Sequence, residues 1–285
     1  MKQGFVKVAS ATPRIRVADP VYNAQVICEQ AKEAAEHGAK IVVFPELCIT
    51  GYTCNDLFLQ ELLLEKAKEA LLTIAEETGQ LETLFLVGLP VDKDGRLYNV
   101  AAVLYRGRIL GMIPKKNIPM YAEFYEGRHF TPGEETVTEY RLGKQVIPFG
   151  SNLLFRCEEL PELILGCELC EDLWVAEPPS TSHALMGATV IANLSASNET
   201  VSKDDYRTLL IKASSARLLC GYIYTSAGEG ESTQDLVFGG HDLIAENGTL
   251  LVQSARFTTG ILYTDLDVLK ISSERKIGRA SCRER

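Results

Sequence analysis

The sequence predicts an α/β protein with mixed sheets, folded as one domain. Three observations carry this expectation. Short apolar runs such as Ile41-Val42-Val43-Phe44 alternate with longer stretches of helical periodicity. Hairpin signals, Asp92-Lys93-Asp94-Gly95 and Arg106-Gly107-Arg108, join neighbouring runs in a way that a purely doubly wound parallel sheet would not. No internal repeat or long linker divides the 285 residues.

The elements follow in order. Val6 to Ala11 reads as a strand. Asp19-Pro20 opens a helix, with Asp as the cap and Pro in the first turn, and Ala24, Ile27, Ala31, Ala34 and Ala35 keep helical spacing until Gly38. Ile41 to Phe44 is a strand, and a second helix covers about Leu59 to Thr78 before Gly79. Strands follow at Leu84 to Leu89, Tyr98 to Tyr105 and Ile109 to Ile113, and residues 117 to 150 read as loop-rich, with no strand assigned. Leu163-Ile164-Leu165 is a buried strand, Ser182 to Met186 is helical, and Thr189 to Asn193 is a strand. A helix at Tyr206 to Leu219 precedes strands at Tyr222 to Tyr224, Asp242 to Ile244, Leu250 to Val252 and Gly260 to Asp265. Residues 1–271 form the predicted domain. Residues 272–285 read as a flexible basic tail whose native origin is open, with a nucleic-acid arm as a minor rival reading and Cys282 an exposed thiol.

Composition excludes several classes. The net charge of -9 argues against a general nucleic-acid binder. The start of the chain carries no signal-peptide apolar core, and no run approaches a membrane span, so a cytoplasmic protein without membrane contact is expected. The eight cysteines then read as free thiols rather than as a disulfide framework.

The chemistry concentrates at strand ends. Gly166-Cys167-Glu168-Leu169-Cys170-Glu171-Asp172-Leu173-Trp174 places a cysteine after a buried strand, beside carboxylates and the only tryptophan. Phe44-Pro45-Glu46 ends a second strand and Pro114-Lys115 a third. A thiol needs a base to become a nucleophile, so a carboxylate, an ammonium and a thiol at three strand ends suggest acyl transfer. Singly, each reads otherwise: Glu46 as a solvated acid, Lys115 as a surface lysine beside Lys116, Cys170 as core. The pair Cys167-x-x-Cys170 has a zinc or dithiol rival, but Cys48 and Cys54 do not repeat that spacing.

In order, Phe44-Pro45-Glu46-Leu47-Cys48-Ile49-Thr50-Gly51-Tyr52, Pro114-Lys115-Lys116-Asn117-Ile118-Pro119 and Cys170-Glu171-Asp172-Leu173-Trp174 resemble the Glu, Lys and Cys motifs of the nitrilase (carbon-nitrogen hydrolase) superfamily. Tyr121-Ala122-Glu123-Phe124-Tyr125-Glu126, Ala192-Asn193-Leu194-Ser195-Ala196-Ser197 and Ala227-Gly228-Glu229-Gly230-Glu231-Ser232-Thr233 are similar to the glutaminase domains of glutamine-dependent NAD synthetases. The resemblance runs from about Phe5 to Asp265. It implies a four-layer α-β-β-α sandwich, with Glu46 as general base, Lys115 as electrostatic stabiliser and Cys170 as nucleophile. It also implies that Glu123 positions Lys115 and the substrate. Tyr121, Phe124, Glu171, Ser197 and Lys203 would contact L-glutamine, Glu171 at its α-ammonium and Lys203 at its α-carboxylate. The implied partners are a synthetase domain and further copies of the chain. No cofactor is expected here. ATP, Mg and deamido-NAD belong to a synthetase domain, whose Ser-Gly-Gly-x-Asp-Ser phosphate loop does not occur in the sequence. The implied reaction is glutamine hydrolysis, with an ω-amidase on another small amide and a silent scaffold as rivals.

Overall fold

The computed structural model describes residues 3–276. Fourteen strands form two sheets. The first holds β1 (Phe5–Thr12), β2 (Ile41–Val43), β3 (Leu84–Lys93), β4 (Arg96–Tyr105), β5 (Arg108–Pro114), β6 (Thr138–Leu142) and β7 (Gln145–Phe149). The second holds β8 (Leu154–Arg156), β9 (Ile164–Leu169), β10 (Val190–Ser195), β11 (Gly221–Ser226), β12 (Leu243–Glu246) and β13 (Thr249–Gln253). The last strand, β14 (Gly260–Asp267), returns to the first sheet beside β1. The strand orders are β14-β1-β2-β3-β4-β5-β7-β6 and β13-β12-β11-β10-β9-β8. Both sheets are mixed. β1, β2 and β3 run parallel, as do β9, β10 and β11, while hairpins supply the antiparallel pairs.

The period of two along the strands explains the layers. On β2, Ile41 and Val43 enter the core between the sheets, together with Val6, Val8, Leu165, Leu169 and Ile223. Val42, between them, faces the other way, into a core shared with α1 (Pro20–Glu36) and α2 (Glu61–Glu77). On the second sheet Ile191, Tyr222 and Tyr224 pack outward with Ala184 of α3 (Pro179–Leu185) and Ile211 of α4 (Lys203–Leu218). The result is the expected α-β-β-α sandwich. Both sheets are covered on both faces, which is why their central strands read as unbroken apolar runs.

The Asp19 carboxylate caps α1 through the Tyr22 N–H at 3.1 Å, as the Asp-Pro signal predicts. Both hairpin turns have two successive left-handed residues, Asp94-Gly95 and Arg106-Gly107. Two expectations are corrected. The stretch 117 to 150 contains the β6–β7 hairpin, whose buried Tyr140, Leu142, Ile147 and Phe149 alternate with exposed residues. The supposed tail begins inside a helix, α5 (Val268–Lys276). Its Arg275 guanidinium donates to the carbonyls of Ala188, Leu218 and Leu219 at 2.6–2.9 Å, so hydrogen bonding, more than an apolar stripe, seats this helix. The rest of the tail, including Cys282, lies outside the described residues. Among the described residues no helix is long and apolar enough to cross a membrane.

Candidate active site

Glu46, Lys115 and Cys170 each follow the end of a strand, β2, β5 and β9 respectively, and the structure brings them together. The C-terminal ends of parallel strands are where α/β sheets hold ligands. The turn at Glu46 is tight. Leu47 has φ +51, and the turn lies so close to β3 that a side chain on Gly88 would meet the Leu47 nitrogen at 2.2 Å. Cys170 opens a 3₁₀ turn, Cys170–Leu173, with φ +41. A non-glycine residue there costs on the order of 1–3 kcal/mol, which the surroundings must offset.

Those surroundings are the neighbouring carboxylates. Asp172 accepts from the Leu169 N–H at 3.0 Å and from the backbone and side chain of Asn117 at 2.8 Å. It thereby ties the cysteine turn to the segment that carries Lys115. Glu168 accepts from the Ser180 N–H at 2.8 Å and from the Tyr222 hydroxyl. Both acids are buried supports, whereas Glu171 faces the mouth of the site.

The centre is a buried charge cluster. Lys115, with no exposed surface, donates to Glu46 Oε1 at 2.7 Å and to Glu126 Oε1 at 2.6 Å. Asn99 on β4 donates to Glu46 Oε1 at 2.7 Å, and the Tyr52 hydroxyl donates to Glu126 Oε1 at 2.8 Å. Glu46 Oε2 is buried with no hydrogen-bond partner. Burial pushes the Glu46 carboxyl up to about 7, opposed by Lys115 and reinforced by Glu126. Burial also pushes the Cys170 thiol well up, and Glu46 pushes it further; Lys115 and the Ala196 backbone N–H oppose them. Lys115 is held well above the ordinary lysine range by its two carboxylates, despite its burial. The resting cluster therefore contains a neutral thiol, a fixed ammonium and one carboxylate oxygen open to a proton.

Four of the residues expected to contact substrate, Tyr121, Phe124, Glu171 and Lys203, lie side by side. The Tyr121 hydroxyl donates to both Glu171 oxygens at 3.0 Å, and the Tyr121 ring meets buried Phe124 edge-on at 5.9 Å. Lys203 Nζ stands 5.6 Å from the Phe124 ring centre and 5.2 Å from that of Trp174. The Ser197 hydroxyl is buried and accepts from Arg207 at 3.4 Å.

One assignment is corrected. Glu123 does not touch Lys115; its carboxylate accepts from the Asn198 amide. Glu126 holds that place. Ala122, with φ +47, turns the loop, and Glu126 opens the short 3₁₀ turn Glu126–Arg128 with its side chain inward. Loop residues have no periodicity to say which of two glutamates points in. Asn99, Tyr52 and Asp172 were also missed. The Gly-Glu-Gly-Glu loop, Gly228 to Glu231, has a definite task. Glu231 accepts from the Tyr52 and Thr53 N–H groups at 2.7 and 3.0 Å, which places the Tyr52 hydroxyl on Glu126. Gly230 is required in that loop, because a side chain there would meet the Ile15 carbonyl at 1.9 Å. Cys167, on β9, packs between the sheets.

A four-layer sandwich with a buried carboxylate, ammonium and thiol at its strand ends has the make-up of a nitrilase-type hydrolase. The chain belongs to the carbon-nitrogen hydrolase family, whose profile matches residues 7–276. It is 42% identical over 276 residues to the glutamine-dependent NAD(+) synthetase of Mycobacterium tuberculosis, covering 96% of this chain and 41% of that protein. The chain thus spans about two-fifths of that relative's length. The crystal structure of a glutamine-dependent NAD(+) synthetase from Cytophaga hutchinsonii superposes with a TM-score of 0.83 at 28% identity, covering 92% of this chain and 43% of that one. An amidase from Nesterenkonia sp. shares the fold, with a TM-score of 0.72 at 20% identity over 97% of each chain.

Proposed function

We propose that this chain hydrolyses the side-chain amide of L-glutamine to glutamate and ammonia through a thioester on Cys170. The observation that carries the reading is the unpartnered Glu46 Oε2 in a buried cluster whose other carboxylate oxygens are hydrogen-bonded. It is the carboxylate oxygen there free to take a thiol proton; the other unpartnered acceptor, Asn99 Oδ1, is an amide oxygen and too weak a base. The thiolate then attacks the amide carbon. Lys115 has spent two of its three N–H groups on carboxylates, which leaves the third for the developing oxyanion. Protonated Glu46 passes its proton to the leaving nitrogen and ammonia departs. Water, deprotonated by Glu46, hydrolyses the thioester and the thiol is restored.

Glutamine is favoured as substrate by the names of the relatives and by the opposite charges of Glu171 and Lys203 at the mouth, which suit an α-ammonium and an α-carboxylate. In the intact protein the ammonia would serve ATP-dependent amidation of deamido-NAD to NAD by a synthetase domain. ATP, Mg and deamido-NAD would be used there, and the glutaminase step itself needs no cofactor. Further copies of the chain complete the proposed assembly, in the cytoplasm.

A glutamine-like diazoketone tests the reading directly. Intact mass and peptide mapping are expected to show one adduct, on Cys170, suppressed by excess glutamine. An adduct on another cysteine would refute the assignment.

The pH profile is a second test. Glu46 can accept a proton only when ionised, and its carboxyl sits at about 7. Below that pH the protonated fraction grows, so kcat/KM should fall about tenfold per pH unit; above it a plateau should follow. Ammonia release that stays flat down to about pH 5, where an unperturbed carboxylate is still ionised, would contradict this role.

A further inference from the structure

The Asn198 side chain stands between two groups of opposite charge. Its Nδ2 donates to Glu123, and Lys203 Nζ donates to its Oδ1. Asn198 is 3% exposed, and its backbone is fixed from two sides. It bridges to Phe238, and its carbonyl accepts from Arg207 at 3.1 Å. Arg207 is itself fully buried and anchored on Glu199 at 2.7 Å and His241 at 3.0 Å. The amide therefore projects from a rigid base, and it can face either neighbour only with the polarity it shows.

A carboxamide offers a donor to a carboxylate and an acceptor to an ammonium at once, without charge of its own. Inserted between Lys203 and Glu123, it keeps them from closing into a direct ion pair. Such a pair would cancel the field of both charges at the mouth. The ammonium instead remains between the Phe124 and Trp174 rings with N–H groups in hand. Lys203 is also the first residue of α4, where the helix dipole does not favour a cation. Its own helix gives no reason for an ammonium there, and the amide and the two rings hold it in place.

We propose that Asn198 is a positioning residue for substrate selectivity: it preserves the charge of Lys203 for the α-carboxylate of the amide substrate by separating Lys203 from Glu123. This rests on the glutaminase reading above and adds to it the device that reserves the cation.

The test compares glutamine with 4-aminobutanamide, which has the same amide and amine but no α-carboxylate. Asn198→Ala is expected to raise KM for glutamine about tenfold, roughly the worth of one charge-assisted hydrogen bond, with kcat within about threefold. The value of kcat/KM for 4-aminobutanamide should barely move. Adding Glu123→Gln to Asn198→Ala removes the competing charge and should return KM toward the wild-type value, a rescue that a merely structural role would not show. Should the alanine variant fold poorly, Asn198→Asp keeps the shape and puts a carboxylate on Lys203, and it should raise KM for glutamine in the same direction. A wild-type enzyme that turns over both amides equally well would overturn this inference together with the substrate reading beneath it. A wild-type enzyme that discriminates, with variant losses equal on the two amides or not rescued by Glu123→Gln, would overturn the spacer role alone.

Discussion

Cys170→Ala is expected to lower glutamine hydrolysis by at least about 10⁴-fold while leaving the protein folded. The loss is large because no second nucleophile is placed to replace the thiol. In the proposed mechanism Glu46 is the proton acceptor, and Lys115 is held as a cation by two carboxylates. What remains is stabilisation of charge without the covalent route. The fold should survive because the change removes one sulfur atom from a buried position, a cost of about 1 kcal/mol. Alanine can occupy the φ +41 conformation no worse than cysteine, and the turn is held by Asp172 through backbone groups that the change leaves in place. Ammonia release and thermal melting, measured on the same preparation, check both halves. Turnover that persists in a folded Cys170→Ala protein would mean that the thioester mechanism is wrong.

Cys170 also shows what could be read from the sequence. It, Glu46 and Lys115 were legible because each interrupts an apolar run at its end, and strand ends on one side of a sandwich converge. Glu171 and Lys203 were legible only through resemblance, since one lies within a turn and the other starts a helix. Glu126 was not distinguishable from Glu123: both lie in a loop, and what decides between them is the left-handed turn at Ala122. Asn99 was hidden for a different reason. It sits inside β4, where a polar residue looks like one face of an amphipathic strand, yet it is fully buried against Glu46. The same limit applies to architecture. The central strands of both sheets were readable because they are buried on two faces. The β6–β7 hairpin covers only an edge, and its alternation was diluted by exposed charged residues. Helix α5 buries only Val268 and Ile271, so its stability lies in the bonds of Arg275 to distant carbonyls, which no local pattern announces.

Lys115→Ala is expected to reduce kcat/KM by at least about 10²–10³-fold, the cost of one lost oxyanion donor, and to destabilise the fold by about 3–5 kcal/mol. The two losses have different origins. Stability falls because Glu46 and Glu126, both buried, share this single ammonium. Without it, two carboxylates would face each other with only Asn99 and Tyr52 as donors. They would relieve the repulsion by taking up a proton, and Glu46, already raised to about 7, would spend more of its time neutral. Activity therefore falls twice, through the missing oxyanion donor and through a base that is no longer ionised. The double variant Lys115→Ala/Glu126→Gln separates these effects. Removing one of the two negative charges should restore much of the lost melting temperature and let Glu46 ionise near its present range. It cannot restore an N–H aimed at the oxyanion, so the rate should stay at least about 10²-fold down. Recovery of turnover along with stability in the double variant would assign Lys115 a purely structural part, and the stabilisation of the tetrahedral intermediate would have to come from backbone N–H groups at the cysteine turn.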